Sequence, residues 1–316
     1  MRYKLNIKIF LPILALVIAI IVDKVLPDKI YAYHTTYWIP VILITIGIYL
    51  ILILVSLKYS LLNSKLKEKG PLFSVGILIL VVMELLTAKF SILPLPYFPH
   101  PGQVIDVIIT DRKMLFLSSV YSIRMLSVGY FLGAVLGLVT GTLIGWSKKF
   151  NYWLGPLQKV IGPIPATAWI PIAMTIFPTS FTASIFILTL AVWFPVTVMT
   201  SSGIANVKQS YFEVAQTLGA GKSYLIFRVA LPAALPNIFV GLFMGLGMSF
   251  ITLIVAEMLG VKAGLGWYIN WAQGWAEYKK VYASLTVMSI LFSAIISLLF
   301  RIRDRILMWQ KGLIKW

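Results

Sequence analysis

The chain has 316 residues, 60% of them hydrophobic and only 12% charged. Soluble domains run nearer half apolar and a quarter charged, so this much apolar surface needs lipid as its solvent. A disordered chain, a collagen and a soluble dinucleotide-binding enzyme are excluded. Lys and Arg number 27 against 10 Asp and Glu, for a net charge of +17. In a soluble protein that excess points to nucleic acid; in a membrane protein it marks basic residues held on the cytoplasmic side, and no nucleic-acid partner is expected. With zero cysteines, disulfides, thiolate metal sites and thiol catalysis are out of reach. The two histidines, His34 and His100, lie far apart, so no metal centre is expected.

Apolar runs of bilayer-crossing length, about 18–25 residues, predict eight spans. In chain order they are Ile9–Leu26, Tyr37–Leu57, Pro71–Leu93, Leu117–Trp146, Leu154–Phe177, Thr182–Ser202, Asn237–Leu259 and Val281–Phe300. The first ends near Asp23 and Lys24. A signal peptide is its alternative reading, although no small-x-small cleavage site follows it cleanly. With the N-terminus inside, one face collects Arg2, Lys4 and Lys8, then Lys58, Lys65, Lys67 and Lys69, then Lys148 and Lys149. Lys208, Lys222, Arg228, Arg301, Arg303, Arg305, Lys311 and Lys315 join them. The bias of about two to one predicts both termini in the cytoplasm.

Between spans, the outer segment Pro94–Phe116 opens with Pro94, Pro96, Pro99 and Pro101 and should begin as rigid non-helical chain. The inner segment Gly203–Pro236 is the longest polar break. Trp267, Trp271 and Trp275 make an i, i+4, i+8 stripe that reads as an interfacial aromatic anchor or as a docking face for an outside partner.

The fourth span carries Gly129, Gly133, Gly137, Gly141 and Gly145, one face on which another backbone can approach closely. Static packing and a helix that slides against its neighbour are both open. The fifth span contains Gly162, Pro163, Pro165, Trp169 and Pro171 and must be kinked or unwound. Broken backbone at membrane depth belongs beside protein or water, so a pathway-lining role is favoured. Arg124, Lys159, Glu84 and Glu257 are ionisable groups in or at the ends of spans, each either structural or on a pathway. Glu84 and Glu257 are expected near outer ends, within reach of water.

Leu218-Gly219-Ala220-Gly221-Lys222-Ser223 ends like a phosphate-cradling loop, but that pattern needs glycine where Gln216 stands and a buried strand before it. The chain is not expected to bind ATP. The same stretch, Glu213-Val214-Ala215-Gln216-Thr217-Leu218-Gly219-Ala220 followed by Arg228-Val229-Ala230-Leu231-Pro232, resembles the cytoplasmic EAA loop of ABC importer permeases. A short helix at Glu213–Leu218 should turn at Gly219, and a second helical stretch, Lys222–Val229, should end at Pro232. Pro96-Tyr97-Phe98-Pro99-His100-Pro101, Ser122-Ile123-Arg124, Gly162 to Pro171 and Val255-Ala256-Glu257-Met258-Leu259-Gly260 are similar to the nitrate/sulfonate/taurine branch of that family.

The resemblance implies an all-α membrane protein of the cell (inner) membrane. It would have a six-span permease core at 71–306, a coupling loop at 203–236, two extra N-terminal spans within 1–70, and a cytoplasmic tail at 307–316. It implies ATPase coupling by Glu213, Ala215, Gly219, Ala220, Leu231 and Pro232, with Arg124, Gly162, Pro163, Pro165, Trp169 and Glu257 as pathway or gating candidates. It further implies a homodimer or paired permease, two ABC ATPase subunits that use ATP and Mg, and an extracytoplasmic solute-binding protein. No cofactor is expected on this chain, and it is not expected to be an enzyme. The solute class is a small anion such as a sulfonate, taurine or nitrate, with a thiamine pyrimidine precursor as the alternative. A secondary transporter or channel would need no ATPase, and would leave the cytoplasmic loop unexplained.

Overall fold

The computed structural model describes residues 6–29 and 35–309. Arg2, Lys4, His34, Lys311 and Lys315, and most of the 307–316 tail, lie outside the described residues. Among those described, every regular element is helical. The first are α1 (Ile7–Val25), α2 (Trp38–Ser56), α3 (Ser60–Lys89), α4 (Pro101–Thr110) and α5 (Arg112–Trp146). There follow α6 (Lys148–Ile161), α7 (Ala166–Ile176), α8 (Ser180–Ala205) and α9 (Gln209–Thr217). The last are α10 (Lys222–Gly260), α11 (Leu265–Gly274) and α12 (Tyr278–Ile306).

Six of these helices, α2, α3, α5, α8, α10 and α12, are long and apolar enough to cross a membrane. The apolar α1 carries Lys8, Asp23 and Lys24 near its ends. The predicted fifth span is two helices, α6 and α7, bent by 87°. The turn between them holds Gly162, Pro163 and Pro165, where missing donors and ring clashes forbid a continuous helix. One expectation fails nearby. The helix expected to stop at Pro232 runs through Pro232 and Pro236 to Gly260. Pro232 comes just after a π turn, Leu225–Ala230; this wider winding relieves the ring clash that a tight α turn would impose.

The chain forms two compact units: residues up to Met114 with Trp271–Leu285, and Leu115–Asn270 with the chain from Thr286 on. In the first, Leu16 and Ala19 of α1, Trp38 and Ile42 of α2 and Val81 of α3 form the core. Its helix ends are closed by polar side chains, of which Lys89 and His100 are buried. Lys89 Nζ lies 2.8 Å from the Asp28 carboxylate and donates to the Asp23 and Leu26 carbonyls at 3.0 and 2.7 Å, where the last turn of α1 leaves acceptors without partners. Asp106 accepts the Thr36 and Tyr37 N–H groups at 2.9 and 2.8 Å, ahead of α2. His100 caps α4, its Nδ1 accepting the Gly102 N–H at 2.8 Å while the Gln103 side chain accepts the His100 N–H at 3.3 Å.

The second unit is built on α8. A Cβ added at Gly129, Gly133, Gly137 or Gly141 of α5 would come within 2.5–2.7 Å of Cβ of Leu188, Val192, Val196 or Thr200, and at Gly145 within 3.0 Å of Cβ of Ile204. Every fourth residue of one helix thus meets every fourth of the other, with the chains running parallel. Hydroxyls bridge the same pair of helices: Thr140 and Thr197 Oγ1 lie 2.8 Å apart, and Trp193 Nε1 donates to Thr140 Oγ1 at 3.0 Å. α8 also receives Gly241 and Gly245 of α10, against Met199 and Val192, so Val192 touches a glycine of each neighbour. Tyr130 Oη donates to the Leu242 carbonyl at 3.0 Å, tying α5 to α10.

This packing predicts which glycines tolerate change. Gly133→Leu and Gly137→Leu should each cost about 1–3 kcal/mol or more through overpacking. Gly47→Ala and Gly76→Ala, where an added Cβ meets nothing within 4 Å, should hold or raise stability. Thermal unfolding of the detergent-solubilised protein, followed by size exclusion, checks both.

Candidate functional site

The polar stretch between α8 and α10 folds into a small rigid knob. Helix α9 ends in a left-handed residue, Gly219, with φ of +82°. The Gly219 N–H donates to the Gln216 carbonyl at 2.9 Å and the Ala220 N–H to the Ala215 carbonyl at 3.0 Å. These are the paired bonds of a Schellman end, which favours glycine at this position. Lys222 then opens α10 without a further break, so the second arm of the knob is the foot of a membrane-length helix.

Apolar contacts fix the knob at its base. The Phe212 ring stands edge-on to Trp146, the last residue of α5, with centroids 5.7 Å apart. Buried Ile204, Ala230, Ala234 and Ile238 form a core beneath it, with Leu231 packed alongside. Ala215, Ala220 and Pro232 are half-buried, while Glu213 and Gly219 face solvent. The apex is apolar and exposed: Leu218 keeps 83% of its surface and Val214 61%. Ala215, Leu218, Gly219, Ala220, Tyr224 and Arg228 share one open concavity there.

The pathway candidates fall in separate neighbourhoods. Gly162 lies against the Phe194 ring so closely that any Cβ would overlap it. Pro163 and Pro165 are exposed, and Trp169 is half-buried, with its indole N–H buried and lacking an acceptor. Arg124 is exposed, its guanidinium carbon 5.1 Å from the centre of the Phe181 ring.

Neither buried glutamate reaches water, contrary to expectation. Glu257 is fully buried. Its Oε1 accepts from Ser122 Oγ at 2.7 Å and its Oε2 from the Gly266 N–H at 2.8 Å. Ser122 Oγ in turn accepts the Leu265 N–H at 2.9 Å. The carboxylate therefore clasps the start of α11, where helix N–H groups lack partners, and Gly264, at φ +127°, leaves it room. Glu84, also fully buried, lies 3.9 Å from Lys89 Nζ and 3.8 Å from His100 Nε2. Asp23, Glu84 and His100 bring ligand atoms within 4.8 Å of one another. However, His100 Nδ1 accepts the Gly102 N–H, so the neutral ring carries its proton on Nε2 and offers no lone pair there to a metal.

Several partners were not visible as site residues in the sequence. Ser122 is remote from Glu257 in the chain, and Phe194 and Phe212 belong to no local motif. The glycines at 264 and 266 after Glu257 were the available signal for the clasp. The expected tryptophan stripe is shorter than predicted: Trp267 and Trp271 lie on α11, but Trp275 falls beyond its last residue, Gly274.

Fold and knob together define an all-helical, multi-span membrane protein with a rigid helix–turn–helix outside its spans. The chain belongs to the family of binding-protein-dependent transport system inner membrane components, whose model matches residues 115–307, more than half of its length. It is 32% identical over 122 residues to the bicarbonate transport system permease protein of Synechococcus elongatus, covering 39% of this chain and 44% of that protein. It is 33% identical over 124 residues to the nitrate import permease protein of Leptolyngbya laminosa, covering 39% and 44%. The chain thus spans less than half the length of these relatives. A probable ABC transporter permease of Haemophilus influenzae is 27% identical over 170 residues, covering 54% of this chain and 69% of that one. An inward-facing structure of the methionine ABC transporter MetNI matches 62% of this chain and 98% of its own, with a TM-score of 0.54 at 20% identity. That likeness concerns the fold alone.

Glu257→Leu should strand the Gly266 N–H and the Ser122 hydroxyl at about 1–3 kcal/mol each, while Glu257→Gln keeps one acceptor and loses less. Thermal unfolding of the two variants side by side measures the difference.

Proposed function

We propose that this chain is the membrane-spanning permease subunit of an importer powered by separate ATPase subunits. The solute is a small anion of the nitrate, bicarbonate or sulfonate class, delivered by a binding protein outside. Both termini and the knob lie in the cytoplasm, and two permease copies, identical or paired, enclose the path. ATP and Mg belong to the ATPase pair. The solute class leans on the names of the bicarbonate and nitrate relatives and on the sequence resemblance to the same branch.

The observation that carries the reading is the apex of the knob. Leu218 is 83% exposed on a turn outside the spans, held rigid by the Schellman bonds at Gly219 and the Phe212–Trp146 contact. An apolar tip on a stiff support suits insertion into a groove of another subunit. When the ATPase pair closes, the knob moves with it. The continuous α10 carries that displacement into the membrane through its π turn, and Trp146 carries it to α5. Access then alternates between two discrete packings biased by nucleotide state.

Glu213, Ala215, Gly219 and Ala220 shape this knob, and Leu231 and Pro232 seat it. Leu218→Asp, at a position with no interior contacts to lose, should lower ATP-driven uptake by about ten-fold or more, which converts to about 1.4 kcal/mol or more of lost coupling. Membrane abundance and thermal stability should be unchanged. Normal uptake at normal abundance would contradict the coupling role.

A further inference from the structure

The first half of the broken span, α6, is amphipathic rather than uniformly apolar. Phe150, Trp153, Leu157 and Val160 occupy one side and are 44–69% exposed, a surface fit for lipid. Lys148, Asn151, Tyr152 and Lys159 occupy the other. At 3.6 residues per turn, Lys148 and Lys159 point within roughly 20° of each other and opposite the middle of the apolar side. Lys149 sits at the flank of the apolar side, whereas Lys148 and Lys159 lie on the polar side and are exposed.

The polar side also carries a groove, with Asn151 folded over the bare backbone of Gly155. Gly155 has no side chain, and a Cβ there would come 2.7 Å from the Asn151 Oδ1. Lys148, Asn151, Tyr152, Gly155, Pro156 and Lys159 line one open groove of about 670 Å³, with Trp153 of the apolar side at its edge. Its charge has no counterweight in the chain nearby. Not one Asp or Glu occurs from Arg112 to Phe212, and the ion pairs among the described residues involve other lysines. The groove also has a place. Only Ser147 separates α6 from Trp146, and Trp146 holds the knob through Phe212, so the groove opens at the knob end of the unit.

We propose that this groove is an anion-gathering surface at the knob end of the pathway, where Lys148 and Lys159, three turns and about 16 Å apart along α6, draw small oxyanions from water as they pass between the membrane path and the cytoplasm. The inference rests on the permease reading for the source of the anion. The Lys–Asn–Tyr lining supplies charge and hydrogen-bond donors of the kind that suit a nitrate, bicarbonate or sulfonate group, and the absence of carboxylates keeps anions from being repelled.

This chain lacks cysteine, so Asn151→Cys gives a single reporter on it, and labelling is read on this chain after separation from its partner subunits, with the full importer in inverted membrane vesicles. Its labelling by a sulfonate-bearing methanethiosulfonate should outrun labelling by a trimethylammonium-bearing one by about ten-fold or more, relative to a free thiol, as expected of a cleft lined by one sign of charge. Millimolar nitrate or bicarbonate should slow the anionic reagent. Lys148→Gln with Lys159→Gln should return the ratio to that of a free thiol and lower nitrate or bicarbonate uptake. Equal labelling by both reagents would overturn the proposal. So would labelling only after detergent extraction, or protection by added anionic phospholipid but not by nitrate, which would assign the groove to headgroups. The permease reading fails separately, through normal uptake by Leu218→Asp, a result that leaves the labelling ratio untouched.

Discussion

Five glycines of α5 lay bare backbone against a ridge of α8, and the second unit is organised around that seam. Where the added Cβ atoms would stand, the carbonyl oxygens of Ile185, Thr189, Trp193, Thr197 and Ser201 recur at the same four-residue interval. Lipid tails are as apolar as leucine, so helices in a bilayer gain little by hiding apolar surface from one another. They associate through close van der Waals contact, weak Cα–H···O contacts and occasional side-chain hydrogen bonds. The seam supplies close backbone approach, and the Thr140, Thr197 and Trp193 groups add side-chain hydrogen bonds.

Because α8 also receives glycines of α10, with Val192 and Val196 touching glycines of both neighbours, α5, α8 and α10 form a close-packed trio with little slack. Such interfaces tend to shift between discrete arrangements rather than bend continuously. That property is what the coupling role proposed for the knob would use. Its base is fixed to α5 through Trp146 and to α10 by direct chain continuity, so pressure on Leu218 acts on the trio as a whole. At the other end of α10, the Glu257–Ser122 clasp ties the same helix to α5 and to the start of α11. The two helices are therefore pinned together near both ends.

Much of this was legible in the sequence, for identifiable reasons. Hydropathy finds the long spans because length and apolarity are local properties. The glycine stripe is legible because its four-residue spacing is helical whatever the partner. The Gly219 turn is legible because a left-handed residue ending a short helix favours glycine. The failures are tertiary or depend on window position. Glu257 and Glu84 were placed by depth alone, while their burial depends on partners distant in the chain. A window opening at Leu154 cut α6 in half and hid the periodicity that puts Lys148 and Lys159 on one face. Pro232 was read by a rule for tight α turns, and the π turn ahead of it changes the local geometry that the rule assumes.

The account depends most on the knob being seated in a separate ATP-hydrolysing subunit. The direct measurement is a Leu218→Cys substitution in the otherwise cysteine-free chain, treated with a short thiol-to-amine crosslinker in vesicles that are importing solute. A single adduct at the combined mass of this chain and its ATPase partner, with a yield that changes on adding ATP, is the expected result. Vesicles that import solute at full rate yet never join residue 218 to such a subunit would contradict it.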